Sequence, residues 1–250
     1  MHSRAILPLA ALPAMIEDRL IRKLPFLGLV VLISLGVGCT DDDETGDVMP
    51  LSIGNTWVYQ GRYFSRNDAN STWIDTVSSS VLDTMTVSIQ NSSYNAFVME
   101  GFYDIPGLEH NANWLISNEP DGLYIIGGKI DDDVTPHKSL LIQYPYALNS
   151  VWSATAIYYV FETGPFPSSG AFSPSTIYEI KCVNKNKEVN TLVGKFRCDV
   201  FHYMRQTVDD VANEYDFYDY YAPGIGLVKR EVKDDGFLFY QLSLISYEVN

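Results

Sequence analysis

The side chains able to do chemistry are few and far apart. His202 stands four residues after Cys198 on the same side of an extended chain, and Cys182 lies 16 residues before Cys198. Two thiolates and an imidazole could hold zinc, but the set lacks a fourth ligand, so no metal is expected. A disulfide between Cys182 and Cys198 is the expectation instead. Both fall on apolar parities of strands close in sequence, and a loop of that size would stabilise by about 3 kcal/mol if the two residues stand opposite. Asp131-Asp132-Asp133 offers oxygen ligands without the Asp-x-Asp-x-Asp-Gly order of a calcium loop, and reads as a solvated turn. His110 and His137 sit among loop-type residues and read as solvated. No Gly-x-Ser-x-Gly elbow, His-Glu-x-x-His pair or Walker loop occurs. Among 31 Asp and Glu, nothing singles out the spaced pair that glycoside hydrolysis needs. The expectation is no catalytic residue, no cofactor and a protein that is not an enzyme.

The densest unusual stretch is Tyr215 to Tyr221, YDFYDYY. On a strand, Tyr215, Phe217, Asp219 and Tyr221 share one face, while Asp216, Tyr218 and Tyr220 share the other. Aromatics on both faces exceed what one buried face requires. Two readings stay open. One face packs under a loop, or Tyr218 and Tyr220, with Tyr215 and Phe217 nearby, border an exposed platform for a sugar or a protein. The stretch Phe161–Ser175, with three prolines and two glycines, is expected to be a loop beside that surface.

The first 38 residues have another purpose. Arg19, Arg22 and Lys23 precede the uncharged apolar run Leu24–Val37, which is shorter than the roughly 20 residues a membrane span wants. Gly36-Val37-Gly38 then leads directly to Cys39. A basic flank, a short apolar core and small residues are signal-peptide grammar. With a cysteine at the junction the segment resembles a lipoprotein signal, which implies cleavage before Cys39 and acylation of its sulfur. Gly36 departs from that pattern, since an aliphatic residue is usual there and Leu35 lies one place early. Residues 1–14 read as upstream sequence before a start at Met15. Residues 39–48, beginning Cys-Thr-Asp-Asp-Asp-Glu, read as a solvated acidic tether, and acids after the lipidated cysteine also resemble a surface-export tag of Bacteroidota lipoproteins. Thr40 favours delivery to the outer membrane, with the membrane face left open.

Cleavage would remove four of 17 basic residues and two of 31 acidic ones, leaving 13 against 29 and a net charge of about −16. Such a surface repels phosphate backbones, so nucleic acid is not an expected partner. The remaining residues, 49–250, suffice for one domain.

That domain has strand grammar throughout. Val81, Met85, Val87 and Ile89 alternate with Thr84, Thr86 and Ser88, and Asn113–Gly127 reads as a hairpin around Glu-Pro-Asp-Gly. Thr176–Cys182, Phe196–Met204, Val151–Phe161 and Phe237–Val249 are further strands, with a tight turn at Gly194-Lys195. No capped stretch has helical spacing. The fold expected is all-β: one antiparallel curved sheet, as a sandwich or an open, barrel-like domain. PLSIGNTW (Pro50–Trp57) and PYALNSVW (Pro145–Trp152) share Pro, an aliphatic three places on and Trp seven places on, which suggests two equivalent halves opened by one turn-into-strand device.

PLSIGNTWVYQ, VNTLVGKFRCDVF and YYAPGIGLVKREV together resemble a group of Bacteroidota-type exported lipoproteins of unassigned activity. That group opens with a PLxxGNxW strand, carries a Val-x-x-x-x-Gly-x-Phe hairpin and ends with APGxGLVK. Leu192-Val193 departs from the Pro-Ala more usual before the hairpin glycine. The resemblance implies a β-rich exported domain and no catalytic residue, because its motifs are turns. The function expected is a membrane-anchored envelope lipoprotein acting as a non-enzymatic binding or assembly component, with an envelope protein or glycan as partner. A carbohydrate- or lipid-binding accessory role is the alternative, and a hydrolase is third.

Overall fold

The structure is a computed structural model and describes residues 47–66, 72–101, 112–161, 170–206 and 215–250. The expected signal segment 1–38, Cys39 and most of the tether lie outside the described residues, as does His110. Val48, the last residue assigned to the tether, is buried together with Met49.

Twelve strands form the described part: β1 (Thr56–Phe64), β2 (Thr72–Ile89), β3 (Ser92–Glu100), β4 (Ala112–Glu119), β5 (Gly122–Ile130), β6 (Asp133–Gln143), β7 (Val151–Phe161), β8 (Gly170–Thr191), β9 (Gly194–Gln206), β10 (Tyr215–Ala222), β11 (Gly226–Asp234) and β12 (Phe237–Glu248). No helix occurs among the described residues. Every pairing is antiparallel and the sheet order is β6-β5-β4-β3-β2-β1-β12-β11-β10-β9-β8-β7. The all-β, barrel-like expectation holds. The first and last strands of the chain pair mid-sheet over Thr56↔Glu248 to Tyr63↔Tyr240. At the ends of the order, β6 and β7 meet through side chains: Trp152 Nε1–H donates to the Leu141 carbonyl at 3.4 Å, and Ile142 and Ala154 share the core. The sheet is thus a nearly closed barrel.

The order also divides the domain into two six-stranded meanders, β1–β6 and β7–β12. Their opening turns match bond for bond. Gly54 N–H donates to Val81 O (2.9 Å), as Asn149 N–H does to Cys182 O (2.8 Å). Asn55 and Ser150 bond Ser52 O and Ala147 O, both at 3.0 Å, and accept from the N–H of Val81 and Cys182. Gly54 and Asn149 share positive φ, 92° and 68°, a conformation that glycine and asparagine tolerate best. The two tryptophans that follow, Trp57 and Trp152, are both buried. The echo in sequence is therefore a repeated structural device.

Inside the barrel, Trp57, Tyr59, Trp114, Ile116, Trp152, Phe201, Tyr221 and Leu244 make one core fed by both halves. A second, smaller core lies on the outer face of the first half. Past the bulge at Val81–Asp83, Met85, Val87, Ile89 and Ala96 pack with Leu115, Ile126 and Val134. Alternation holds from Thr84 to Ile89, with Thr84, Thr86 and Ser88 exposed. The bulge leaves Val81 in the barrel core, on the face opposite to Met85, Val87 and Ile89, where the sequence put all four on one face.

Three further local expectations are corrected. Gly170–Ser175 is strand rather than loop, paired Phe161↔Gly170 to Tyr158↔Ser173; Pro174 falls at the register shift after Ala156, where a missing N–H costs no regular ladder bond. Residues 162–169 of that stretch lie outside the described residues. The β8–β9 turn is Leu192-Val193, flanked by the pair Thr191↔Gly194, two places before Gly194-Lys195. His137 lies on β6 and is half-buried rather than a solvated loop residue.

A charged aromatic strip on the second half

Strand β10 has the alternation expected of it, and the structure says which face goes in. Asp219 and Tyr221 point into the barrel fully buried, and Phe217 packs half-buried against the same core. A carboxylate cannot stay ionised in such a place without a partner. Arg230, opposite on β11, supplies one by donating twice, Nε to Oδ1 and Nη2 to Oδ2, each at 2.7 Å.

Asp216, Tyr218 and Tyr220 point outward, where β9 and β11 place His202, Lys229, Glu231 and Lys233 in register beside them. The His202 ring stacks parallel on Tyr218, centroids 4.3 Å apart, and its Nε2 lies 2.9 Å from Asp216 Oδ1. Lys233 Nζ lies 4.5 Å from the centre of the same tyrosine ring. Tyr220 donates its hydroxyl to Glu231 Oε2 at 3.0 Å, and the ammonium groups of Lys187 and Lys229 each lie 5.2 Å from its ring centre. Glu231 also pairs with Lys229 (2.5 Å) and Lys233 (3.6 Å).

These contacts set the charge states. Burial pushes the Glu231 carboxyl up, but the Lys229 ammonium, the Tyr220 hydroxyl and Lys233 outweigh it, and the net shift is downward. Burial, then the charges of Asp216 and Glu231, raise the Tyr218 phenol; burial and Glu231 raise that of Tyr220. Glu231 is therefore held ionised and the phenols neutral, which fixes the pattern of charge around the two rings.

Of the expected platform residues, Tyr218 is half-buried and its ring is flanked by His202 and Lys233. Tyr220 is buried, which corrects its expected exposure: the chain past the β8 bulges brings Lys187 over it. Phe217 faces the core, and the side chain of Tyr215 lies outside what is described. Sequence reasoning missed Lys187, Lys229, Glu231 and Lys233. The alternation in Lys229-Arg230-Glu231-Val232-Lys233 was the available signal, since it sends both lysines and the glutamate to one side.

Cys182 and Cys198 are free, buried thiols, so the expected disulfide is absent. The register gives the reason. Cys182 stands opposite Phe201, three places from Cys198 along β9, and an odd separation puts the two sulfurs on opposite faces of the sheet. Burial first, and Asp199 next, raise both thiols, Cys182 to about 11 and Cys198 to about 12. Asp131 and Asp132 form the β5–β6 turn, and no cluster of metal ligands occurs among the described residues.

No protein-family model matches the chain, and no curated protein does. Two solved structures are similar in outline, both under provisional names. One, from Parabacteroides distasonis, is named a lipoprotein; it is 15% identical over 81% of this chain and 99% of its own, with a TM-score of 0.39. The other, from Bacteroides fragilis, is named an exported protein with a YmcC-like fold; it is 13% identical with the same coverage and TM-score.

Proposed function

We propose that this chain is an envelope lipoprotein, held to a membrane by lipid on Cys39, that binds a partner without chemistry through the strip around His202, Tyr218 and Lys233. The observation that carries this reading is the contrast between the halves. Counting from the β4–β5 and β10–β11 turns, Leu115 and Gly127 on the outer face of the first half stand where Tyr218 and Glu231 stand in the second. An aliphatic version of that face already satisfies the fold, as Leu115 does in its small core. The charged aromatic version therefore answers to something other than stability. Ammonium groups beside tyrosine rings suit a protein surface or an acidic glycan. A lipid-carrying interior is less well supported, because the barrel is filled by large side chains and a fixed Asp219–Arg230 pair.

Photo-crosslinking in intact envelopes tests the reading. A benzophenone residue at Lys233 or Asp216 is expected to trap a partner that the same residue at Lys129 or Thr86 on the first half does not. Equal patterns from both halves would remove the strip as a binding surface. The anchor is tested separately by fatty-acid labelling, which Cys39→Ala is expected to abolish.

A further inference from the structure

We propose that the barrel end where the chain enters is a membrane-docking face, seated on the bilayer that holds the Cys39 lipid through two repeat-related apolar feet, Ile53 and Leu148. The inference rests on the lipid anchor proposed above and adds an orientation to it.

The entering segment is built into one end of the barrel. The Asp47 carbonyl accepts from Gly224 N–H (3.3 Å), Val48 N–H lies 3.4 Å from the Tyr144 hydroxyl, and the Met49 carbonyl accepts from Asn118 Nδ2 (2.8 Å). With Val48 and Met49 fully buried, this segment closes that end, beside Trp57 and the 222–226 turn. Only seven residues, 40–46, separate Cys39 from Asp47. At full extension they span no more than about 28 Å. A lipid on Cys39 therefore keeps this end close to the bilayer.

The turns at the two ends differ. The turns at the entry end, residues 50–55, 145–150 and 222–226, contain no charged residue, although the chain is strongly acidic. The acids there are Asp47, Glu119 and Asp121 of the fourth turn, and Glu248 and Glu100, which stand level with Thr56 at the foot of β1. At the opposite end the β5–β6 and β11–β12 turns carry Asp131, Asp132, Asp133, Asp234 and Asp235. Exposed apolar side chains follow the same polarity. Ile53 is 56% and Leu148 52% exposed, with Leu82 and Val151 beside them. Ile53 and Leu148 occupy matching places in the two repeated turns, one at the foot of β1 and one at the foot of β7, six strands apart in the meander. Single exposed aliphatics are ordinary. A matched pair on two uncharged turns, beside the point where an anchored chain enters, suits insertion into the headgroup boundary. A single acyl chain binds a membrane only marginally, so shallow insertion at two further points adds hold and prevents the barrel from tumbling on its tether.

The test uses the full acylated chain in zwitterionic vesicles, with a nitroxide placed at Ile53→Cys, Leu148→Cys or Asp132→Cys. Cys182 and Cys198 stay silent because they are buried and protonated near neutral pH. Labels at 53 and 148 are expected to lose collisions with a water-soluble nickel complex and to gain collisions with oxygen, while the label at 132 behaves as in water. If labels at 53 and 148 are as wet as the label at 132 on a chain that carries its fatty acid, docking is overturned and the anchor stands. If no fatty acid is found on the chain, the anchor fails and docking falls with it.

Discussion

The two halves of the barrel follow one plan with different chemistry. At the cross-strand pair three places before the β4–β5 turn the first half has Ile116 opposite Ile125; three places before the β10–β11 turn the second half has Asp219 opposite Arg230. All four are buried, so the same space is filled once by aliphatic contact and once by a bidentate ion pair. On the outer face, Ser117 opposite Tyr124 answers to Tyr220 opposite Lys229. Past the signal segment, the first six strands with their connections hold four Lys and Arg, and the rest of the chain holds nine. Backbone hydrogen bonding and an apolar interior are enough to make the meander. The charge in the second half is additional, and additional charge at a buried site is costly to stability.

The largest effect expected tests the buried pair. Asp219→Ile alone should cost about 3–5 kcal/mol, because it leaves the Arg230 guanidinium without its partner inside the barrel. Adding Arg230→Ile, which copies the first half, should recover most of that loss or exceed the original stability. Chemical denaturation of the three proteins checks it. A double variant no better than the single one would mean the halves are not interchangeable in packing.

Next comes the outer face. Leu115→Ala should cost about 2–5 kcal/mol, as deletions in closed cores do, whereas Tyr218→Ala, half-exposed, should cost about 1–2 kcal/mol. If melting shows equal losses, the strip around Tyr218 is core and the proposed binding surface is lost. His202→Ala would sharpen the result, since it removes the stacking partner without opening the interior.

Alkaline pH gives a smaller, graded effect. Buried thiols and phenols have folded values above their ordinary ones of 9.0 and 10.0. The unfolded chain therefore releases protons first as pH rises, and stability present below about pH 9 declines above it. Replacing Cys182 and Cys198 with Ala should move the onset of decline from about pH 9 to about pH 10, where the phenols ionise in the unfolded chain. Glu231 runs the other way: its value is lowered, so its contribution is present above the ordinary carboxylate range and is lost on acidification. An onset unmoved by the cysteine replacements would show that the thiols ionise alike in folded and unfolded chain. Thiol counting on the same samples should find two reactive groups in denaturant and none in the native protein at neutral pH.

The smallest effect concerns the repeated turn. Asn149→Gly copies Gly54 and should change stability by no more than about 0.5 kcal/mol, while Asn149→Val, which resists positive φ, should cost about 1–3 kcal/mol. Similar losses for both would mean that the Asn149 side chain, not its backbone conformation, serves the turn.

Local alternation determined much of this protein from sequence. Strand identity, the exposure of Thr84, Thr86 and Ser88, the hairpin at Glu119–Gly122 and the twofold Pro-to-Trp device are properties of neighbouring residues, and a strand has few ways to satisfy them. So was the split of Tyr215–Tyr221 into two faces, though not which face is inside. Only the tertiary structure decided that, because Asp219 is tolerable in the interior only where Arg230 arrives from the next strand. The same holds for Cys182 and Cys198: their spacing in the chain permitted a bond, while a register set by bulges at Asn184 and Lys187 sent them to opposite faces. Gly170–Ser175 was strand despite Pro174 because β7 offered a partner with a bulge in the right place. Pairing of distant strands is a competition among whole-sheet arrangements, and no window of neighbouring residues contains the energies that settle it.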